Sequence, residues 1–173
     1  MRAQALRIIT RWQPETLLLE QAILRGGGAL TGTRKALQNT LILRLKNNGL
    51  WTRLDCLYLF AALDSVSALI NWRRPGTFDS TLVNSPTFTA DRGFAGNGTT
   101  SYVDSNYNPT TAAGQYIQDS AHAGAWSLTA LGAGVNTERA LGGLSAAGVR
   151  TMVLPWNASN QTQAFINSGT VIT

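Results

Sequence analysis

Residues 88–104 read FTADRGFAGNGTTSYVD, and this stretch decides the fold class of the second part of the chain. Two short runs of strand-forming residues, 93–95 and 101–104, flank the turn-forming triplet Gly96-Asn97-Gly98. We expect this triplet to reverse the chain as a hairpin. In that hairpin, Phe94 points into the core and Tyr102 packs near it across the two strands.

The pattern around this stretch extends over residues 77–173, where short Thr, Val, Phe and Tyr runs alternate with Gly, Asn, Asp and Pro clusters. Such alternation is typical of an antiparallel β unit. Only 13% of the residues are charged, about half the usual share, which argues against a charge-laced helical array. Trp126 falls in a predicted strand, so we expect it in the core. The predicted strands are 80–83, 87–89, 93–95, 101–104, 125–131, 140–144, 151–155 and 163–166.

Residues 1–76 have a helical pattern instead. Pro14 precedes a run of helix formers that ends at the glycines 26–28, which we expect to act as a hinge. Thr33 is expected to cap a second helix, and residues 52–63 to form an apolar third helix. Asp64 is expected to cap a short further turn. The predicted class is therefore α+β by segment: a helical anchor or oligomerisation segment at 1–76 and a β-sandwich domain at 77–173.

The β-sandwich is expected to be incomplete. The last predicted hairpin lies close to residue 173, whereas a closed sandwich needs further strands after such a hairpin. Either the native product is longer or another subunit completes the last edge, and we favour the longer product.

The positive charge is confined to the helical part. Residues 1–54 carry nine basic residues against two acids, and residues 55–173 carry five against seven. Three interpretations remain open: docking to an acidic protein surface, contact with DNA, and a solvated helix face. We favour docking or oligomerisation, because the short helical part carries leucine-rich stripes and because arginine, which suits interface ion pairs, predominates. The expected docking residues are Arg2, Arg7, Arg11, Arg25, Arg34 and Lys35.

The chain offers few groups for catalysis. Cys56 and His122 are the only cysteine and histidine, so an intrachain disulfide and a multi-histidine metal site are impossible. No apolar run reaches the about 18 residues of a membrane span. A glycosidase pair drawn from Asp79, Asp91, Asp104, Asp119 and Glu138 lacks a helpful spacing within one strand. We expect no enzyme activity, no cofactor and no membrane span.

Two weaker binding signals lie around residues 104–116. The oxygen atoms of Asp104, Asn106 and Asn108 suit calcium, although turn formation explains the same residues. Tyr107 and Tyr116 flank a loop, where their rings would stack on a sugar. These two tyrosines are the candidate glycan-binding residues.

Two resemblances add to this interpretation. Residues 88–104 resemble the opening strands of concanavalin A-like (laminin G-like) jelly-roll domains. The longer stretch 54–131 includes DCLYLFAA at 55–62, VNSPTFT at 83–89, DRGF at 91–94 and QDSAH at 118–122. It resembles a family of bacteriophage and prophage proteins in which a helical leader precedes a concanavalin A-like domain.

The resemblance implies a non-enzymatic virion structural protein, made in the bacterial cytoplasm and assembled into a head or tail fibre or spike. The helical part would dock to portal, capsid, collar or tail subunits, or to sister subunits in a homo-oligomer. The β domain would project and bind a host-surface glycan. A virion-associated glycan hydrolase and a DNA-contacting virion protein are the alternatives.

Overall fold

The computed structural model describes residues 11–97, 99–112, 114–117, 120–126, 141–144, 150–154 and 163–168. Three helices come first, and antiparallel strands with one short helix among them follow, so the predicted mixture of α and β structure is confirmed. The helices are α1 (Pro14–Arg25), α2 (Gly32–Asn47), α3 (Ser65–Leu69) and α4 (Pro109–Ala112), with a 3-10 turn at Trp51–Arg53. The strands are β1 (Thr81–Val83), β2 (Thr87–Thr89), β3 (Gly93–Ala95), β4 (Tyr102–Asp104), β5 (Leu141–Leu144), β6 (Arg150–Leu154) and β7 (Gln163–Ser168).

Helix α1 begins at Pro14, whose fixed φ suits the first turn of a helix. The start of the helix is held by Asn39 of α2. The Asn39 side-chain oxygen accepts hydrogen bonds from the Gln13 N–H at 2.7 Å and from the Thr16 hydroxyl at 3.0 Å. Because Thr16 and Asn39 are both buried, this pairing satisfies polar groups that would otherwise be costly inside the protein.

The glycines at 26–28 form a tightly packed turn after α1. Gly27 has a φ of 82°, and the Gly28 N–H donates to the carbonyl of Ile23 at 2.9 Å, as in a Schellman motif. A Cβ on Gly26 would lie 2.8 Å from the Val66 side chain. The expected hinge therefore corresponds to a turn in close contact with α3, and the expected domain boundary near residue 76 stays a prediction.

Two sequence predictions about the helices are wrong. Thr31, one turn before Arg34, caps α2 in place of Thr33, and its hydroxyl accepts from the Arg34 N–H. The apolar segment 54–63 is not helical. Its backbone bonds to distant residues instead: the Leu57 N–H donates to the Asn71 side chain, and the Leu57 carbonyl accepts from the Trp72 N–H.

The cap predicted at Asp64 is confirmed. The Asp64 carboxylate accepts from the Ser67 N–H at 2.8 Å at the start of α3. It also accepts from the Ala29 N–H at 2.8 Å. One carboxylate thus caps α3 and fixes the turn that follows α1.

The β region contains a hairpin, but not at the predicted turn. Strand β2 pairs with β3 through the turn at residues 90–92, and β1 pairs with β4. Phe94 therefore lies opposite Phe88, with ring centroids 5.0 Å apart, and the predicted packing of Tyr102 on Phe94 is wrong. Positive φ angles at Asp91 and Gly93 make the tight turn between β2 and β3.

Most predicted strands lie within two residues of an observed strand. Residues 125 and 126 are not in a strand, and the indole of Trp126 is 90% exposed, so the prediction that Trp126 is a core residue is wrong. The rest of that predicted strand, 127–131, lies outside the described residues. Strands β5, β6 and β7 form an antiparallel sheet with an irregularity in β6.

The core of the described chain lies in its helical part. It comprises the buried side chains Leu19, Ile23, Ile42, Trp51, Ile70 and Trp72. Buried Asn71 connects this core to the start of the β region, because its side chain donates to the Thr77 carbonyl and its N–H donates to Asp79. The segment 54–63 contacts both parts, because the Leu57 carbonyl accepts from the Trp72 N–H and the Phe60 ring packs against Phe94 of β3.

Replacing Gly93 by alanine is expected to lower the free energy of unfolding by about 1–3 kcal/mol, the usual range for backbone strain. Gly93 has a φ of 96°, and an added Cβ would lie 3.1 Å from the Phe60 Cβ. Gly32→Ala is the matched control, because nothing lies within 4 Å of its Cβ position and its φ is not positive. Urea unfolding measures both variants, and equal stability would contradict the described turn.

Candidate docking surface

Helix α1 exposes several leucines on the side that faces away from the core. The exposed residues of this helix all fall on one side, since each residue turns the helix by about 100°. Leu18 and Leu24 on this side are 54% and 57% exposed. We define the outer face of α1 by its exposed residues: Pro14, Leu17, Leu18, Gln21, Leu24 and Arg25.

Helix α1 is therefore apolar on two opposite sides. Leu19 and Ile23 are buried in the core, while Leu17, Leu18 and Leu24 face outward. A surface helix ordinarily carries polar residues on its outer side, and a helix that is apolar all round is ordinarily covered. Burying one such leucine is worth about 1.5–3 kcal/mol. The outer face of α1 thus has the composition of a surface that another molecule covers.

The charges of α1 reinforce this asymmetry. Both of its acids are turned toward α2, where Glu15 pairs with Lys46 at 2.9 Å and Glu20 pairs with Lys35 at 2.7 Å. Arg25 is the ionised side chain left on the outer face. Its guanidinium donates to the Gln21 carbonyl and side-chain oxygens at 3.3 and 3.2 Å, so it lies along the same face.

The structure divides the six predicted docking residues into different environments. Arg2 and Arg7 lie outside the described residues. Arg11 and Arg25 are exposed. Arg34 pairs with Asp91 in the turn between β2 and β3, and Lys35 pairs with Glu20 while its ammonium lies 4.7 Å from the centre of the Trp12 ring.

The leucines of the outer face were missed at the sequence level. The run LLLEQAIL at 17–24 predicts a helix, and its individual leucines are not among the predicted docking residues. The available signal was that its apolar residues, once placed on a helix, fall on both sides of it.

The two candidate glycan-binding tyrosines meet at one carboxylate, that of Asp55. The Tyr107 hydroxyl donates to Asp55 at 2.8 Å, and the N–H groups of Gln115 and Tyr116 donate to it at 2.7 and 2.9 Å. A Cβ on Gly114 would collide with the same carboxylate. The Tyr107 ring also packs edge-on against Phe78. Asp55 thus anchors the segment 107–116, and glycan binding by these tyrosines stays a prediction.

The environment of Asp55 favours its charged form. Burial alone raises the pKa of this carboxyl, but the hydrogen bonds from the Gln115 N–H, the Tyr107 hydroxyl and the Tyr116 N–H outweigh it and lower the pKa below 3.8. Burial and the neighbouring Asp55 charge raise the pKa of Tyr107. The pair is therefore an ionised carboxylate held by a neutral hydroxyl.

Other carboxylates of the β region also accept hydrogen bonds from backbone N–H groups. Asp79 accepts from the N–H groups of Asn71 and Gly76, and Asp104 accepts from the Asn106 N–H at 2.8 Å. The Asn106 side chain donates to the Asp79 carbonyl at 2.7 Å. Within the described residues, no three His, Cys, Asp or Glu side chains come together as metal ligands. Calcium binding near Asp104, Asn106 and Asn108 stays a prediction.

We expect the protein to lose stability in acid. Burial raises the pKa values of Glu15 and Asp64, but hydrogen bonds outweigh it, so these two carboxyls and Asp55 have lowered folded-state pKa values. Their contribution is fully present above the unfolded-state pKa values and is lost as the pH falls through the lower folded-state values. Urea midpoints measured from about pH 6 to about pH 3 should decrease mainly below about pH 4.5. A midpoint unchanged over this range would contradict the described hydrogen bonds.

A cavity of about 240 Å³ lies on another side of α2 from α1. Aliphatic side chains dominate its lining, among them Leu37, Leu41 and Leu59. The polar lining residues are Arg34, which pairs with Asp91, together with Gln38 and Ser67. The side-chain oxygen of Gln38 is buried without a hydrogen-bond partner in the described part of the chain.

Comparison of the chain with known protein families, curated proteins and solved structures finds no match. Among the helices in the described ranges, none has the length and hydropathy needed to cross a membrane.

Proposed function

We propose that the chain is a non-enzymatic structural subunit of a bacteriophage virion, part of a head or tail fibre or spike. Its helical part docks to other virion subunits or to sister copies, and its β region projects outward. The resemblance of residues 54–131 to phage proteins supports the virion assignment. The observation that carries the docking role is the outer face of α1, where Leu17, Leu18 and Leu24 are exposed.

Docking would remove these exposed leucines from water, which is energetically favourable. A contiguous exposed apolar surface marks an interaction site more often than an ordinary solvated face. The outer face of α1 also lacks acids, because Glu15 and Glu20 pair with lysines of α2. Cover by another protein chain would therefore bury apolar groups without burying unpaired carboxylates, which is the costly case.

The glycan hydrolase alternative has less support. A glycosidase needs two carboxyl groups free to act on a sugar. Asp79 and Asp104 are occupied by backbone N–H groups, and Asp55 is occupied by the segment 107–116. These contacts favour a scaffolding role for the three carboxylates.

The DNA-contact alternative also has less support. Binding to DNA needs cations that are free to contact phosphates. Arg34, Lys35 and Lys46 are instead paired with acids of the same chain. Part of the positive charge of the helical part is therefore neutralised by intrachain ion pairs, which favours protein docking.

In this proposal the strands belong to a concanavalin A-like jelly roll that binds a host-surface glycan. The antiparallel pairing of β5, β6 and β7 is compatible with such a fold. The assignment of a jelly roll and of a glycan rests on the resemblance of residues 88–104.

Quantitative mass spectrometry of purified particles tests the proposed function. Particles would be isolated from the bacterium that encodes the chain, after induction of phage production. We expect the chain at a fixed copy number relative to the major capsid protein, through successive purification steps. Its loss from particles during purification, or release of sugars from host-surface polysaccharide by the purified chain, would overturn the proposal.

A further inference from the structure

The sequence contains two Asn-Gly pairs, Asn48-Gly49 and Asn97-Gly98. In such a pair the peptide nitrogen of the glycine can attack the side-chain amide carbon of the asparagine, because glycine has no Cβ to hinder the approach. Both asparagines are exposed to solvent. The two pairs are alike in type and exposure, so a difference in their reactivity would come mainly from the fold.

The side-chain oxygen of Asn97 is surrounded by hydrogen-bond donors. It accepts from the N–H groups of Thr99, Thr100 and Ser101 at 3.0, 2.9 and 3.0 Å. The Thr99 hydroxyl donates to the same oxygen at 3.2 Å. Attack on the side-chain amide carbon turns this oxygen into an oxyanion. Fixed donors at such distances stabilise an oxyanion more than they stabilise the neutral carbonyl.

The side-chain nitrogen of Asn97, which has to leave in this reaction, also has a partner. It donates to the Thr100 hydroxyl oxygen at 3.1 Å. The nitrogen becomes basic once the amide carbon is tetrahedral. The Thr100 hydroxyl can then give it the proton with which it departs as ammonia, and can take a proton back from water.

Asn48 has a different environment at the C-terminus of α2. Its side-chain nitrogen donates to the Arg44 carbonyl at 2.8 Å. The Gly49 nitrogen, which is the attacking atom of this pair, donates its proton to the Lys46 carbonyl at 3.0 Å. This bond holds the nitrogen in the helix cap and stabilises its protonated form. No hydrogen bond in the described part of the chain supplies the Asn48 side-chain oxygen with a donor.

We propose that Asn97 is a site of spontaneous modification, at which asparagine is converted to aspartate and isoaspartate through a cyclic imide. The Gly98 nitrogen loses its proton to water or hydroxide and bonds to the Asn97 side-chain amide carbon, and the side-chain nitrogen departs as ammonia. Water then adds to one of the two imide carbonyl carbons and breaks the bond between that carbon and the Gly98 nitrogen. Gly98 lies outside the described residues, and its covalent bond to Asn97 alone places its nitrogen. The site needs only the chain and water, so it does not depend on the proposed function.

The modification would change the exposed loop between β3 and β4. The aspartate product can keep the bonds from the N–H groups of residues 99–101, because a carboxylate is a stronger acceptor than an amide oxygen. The isoaspartate product lengthens the main chain by a methylene group. With either product, the loop gains negative charge as the protein ages.

Peptide mass spectrometry of the ageing chain tests the proposal. The folded full chain would be incubated in mildly alkaline buffer, and samples would be digested briefly with trypsin. Cleavage after Lys46 and Arg53 isolates Asn48, and cleavage after Arg92 places Asn97 on another peptide. The change in mass from amide to carboxyl identifies the product on each peptide. The same chain unfolded in urea is the control, because the fold then no longer distinguishes the two pairs.

We expect Asn97 to react more than about tenfold faster than Asn48 in the folded chain, since one fixed oxyanion donor contributes about 100-fold or more in enzymes. In urea the two asparagines should react at similar rates, and Asn97 should react more slowly than it does in the folded chain. Equal rates in the folded chain, or a faster reaction of Asn97 in urea, would overturn the proposal.

Thr100→Val tests the part played by the hydroxyl. Valine keeps the N–H donor and the β-branched shape but removes the hydroxyl beside the leaving nitrogen. Asn97 should react about tenfold more slowly in this variant, a smaller effect than the roughly 100-fold of a positioned acid in an enzyme. The rate at Asn48 should not change. An unchanged rate at Asn97, with wild-type circular dichroism, would overturn the role of the Thr100 hydroxyl.

Discussion

Replacing Trp72 by alanine is expected to lower the free energy of unfolding by about 3–5 kcal/mol, the usual cost of removing a buried tryptophan. Trp72 is only 4% exposed and belongs to the core with Ile42 and Trp51. Its backbone N–H donates to the Leu57 carbonyl at 2.8 Å, so the segment 54–63 is bonded to the core at this position. Removal of the indole leaves a cavity between the helices and the segment 54–63.

Trp126→Ala is the matched control for this prediction. The same side chain is removed, but Trp126 is 90% exposed, so the stability should change by less than about 0.5 kcal/mol. Urea unfolding followed by circular dichroism compares the two variants without relying on tryptophan fluorescence. A loss at Trp126 as large as that at Trp72 would contradict the described exposure of Trp126.

Replacing Asp55 by alanine is expected to lower the free energy of unfolding by about 2–3 kcal/mol. Hydrogen bonds to a charged group are worth about 1.5–3 kcal/mol each, and water would bond to some of the groups that lose their acceptor. The change leaves the Tyr107 hydroxyl and the N–H groups of Gln115 and Tyr116 without their acceptor. The segment 107–116 should loosen first. Amide hydrogen exchange at Gln115 and Tyr116 measures this local effect, and urea unfolding measures the global one.

Asp104→Ala separates the role of Asp55 from the general loss of a carboxylate. Asp104 accepts from the Asn106 N–H inside its own turn, so its removal should cost about 0.5–1.5 kcal/mol and leave exchange at Gln115 unchanged. Wild-type stability of Asp55→Ala, together with unchanged exchange at Gln115 and Tyr116, would contradict the anchoring role.

Local signals in the sequence were sufficient for several elements. Pro14 marks the start of α1, and Asp64 caps α3 through a bond to the N–H three residues later. Strands β2 and β3 fall where they were predicted. Each of these features depends on residues within one turn or one strand, so the neighbouring sequence contains the information that determines it.

The segment 54–63 could not be predicted in the same way. Its run of apolar residues suits a helix, but its conformation is set by partners far along the chain. Asp55 accepts from the N–H groups of residues 115 and 116, and the Leu57 N–H donates to Asn71. The Tyr58 hydroxyl lies within hydrogen-bond distance of the carbonyls of Phe78 and Ser105. No local pattern identifies such partners.

The candidate site was predicted only in its general location. The positive charge directed the docking prediction to the helical part, but the pairing of Arg34 with Asp91 spans 57 residues, and sequence spacing does not reveal it. The leucines of α1 were visible in the sequence. Tertiary packing, which buries Thr16, Leu19 and Ile23 of α1, determines which of them face the core.

The most direct test of the docking role is the incorporation of variants into particles. Leu18→Glu/Leu24→Glu places two carboxylates on the outer face of α1. Leu43→Glu/Leu50→Glu places two on other exposed positions of the helical part. With both proteins folded by circular dichroism, we predict that the α1 double variant is missing from purified particles and that the control is retained. Incorporation of the α1 double variant at the wild-type level would contradict the docking role of this helix.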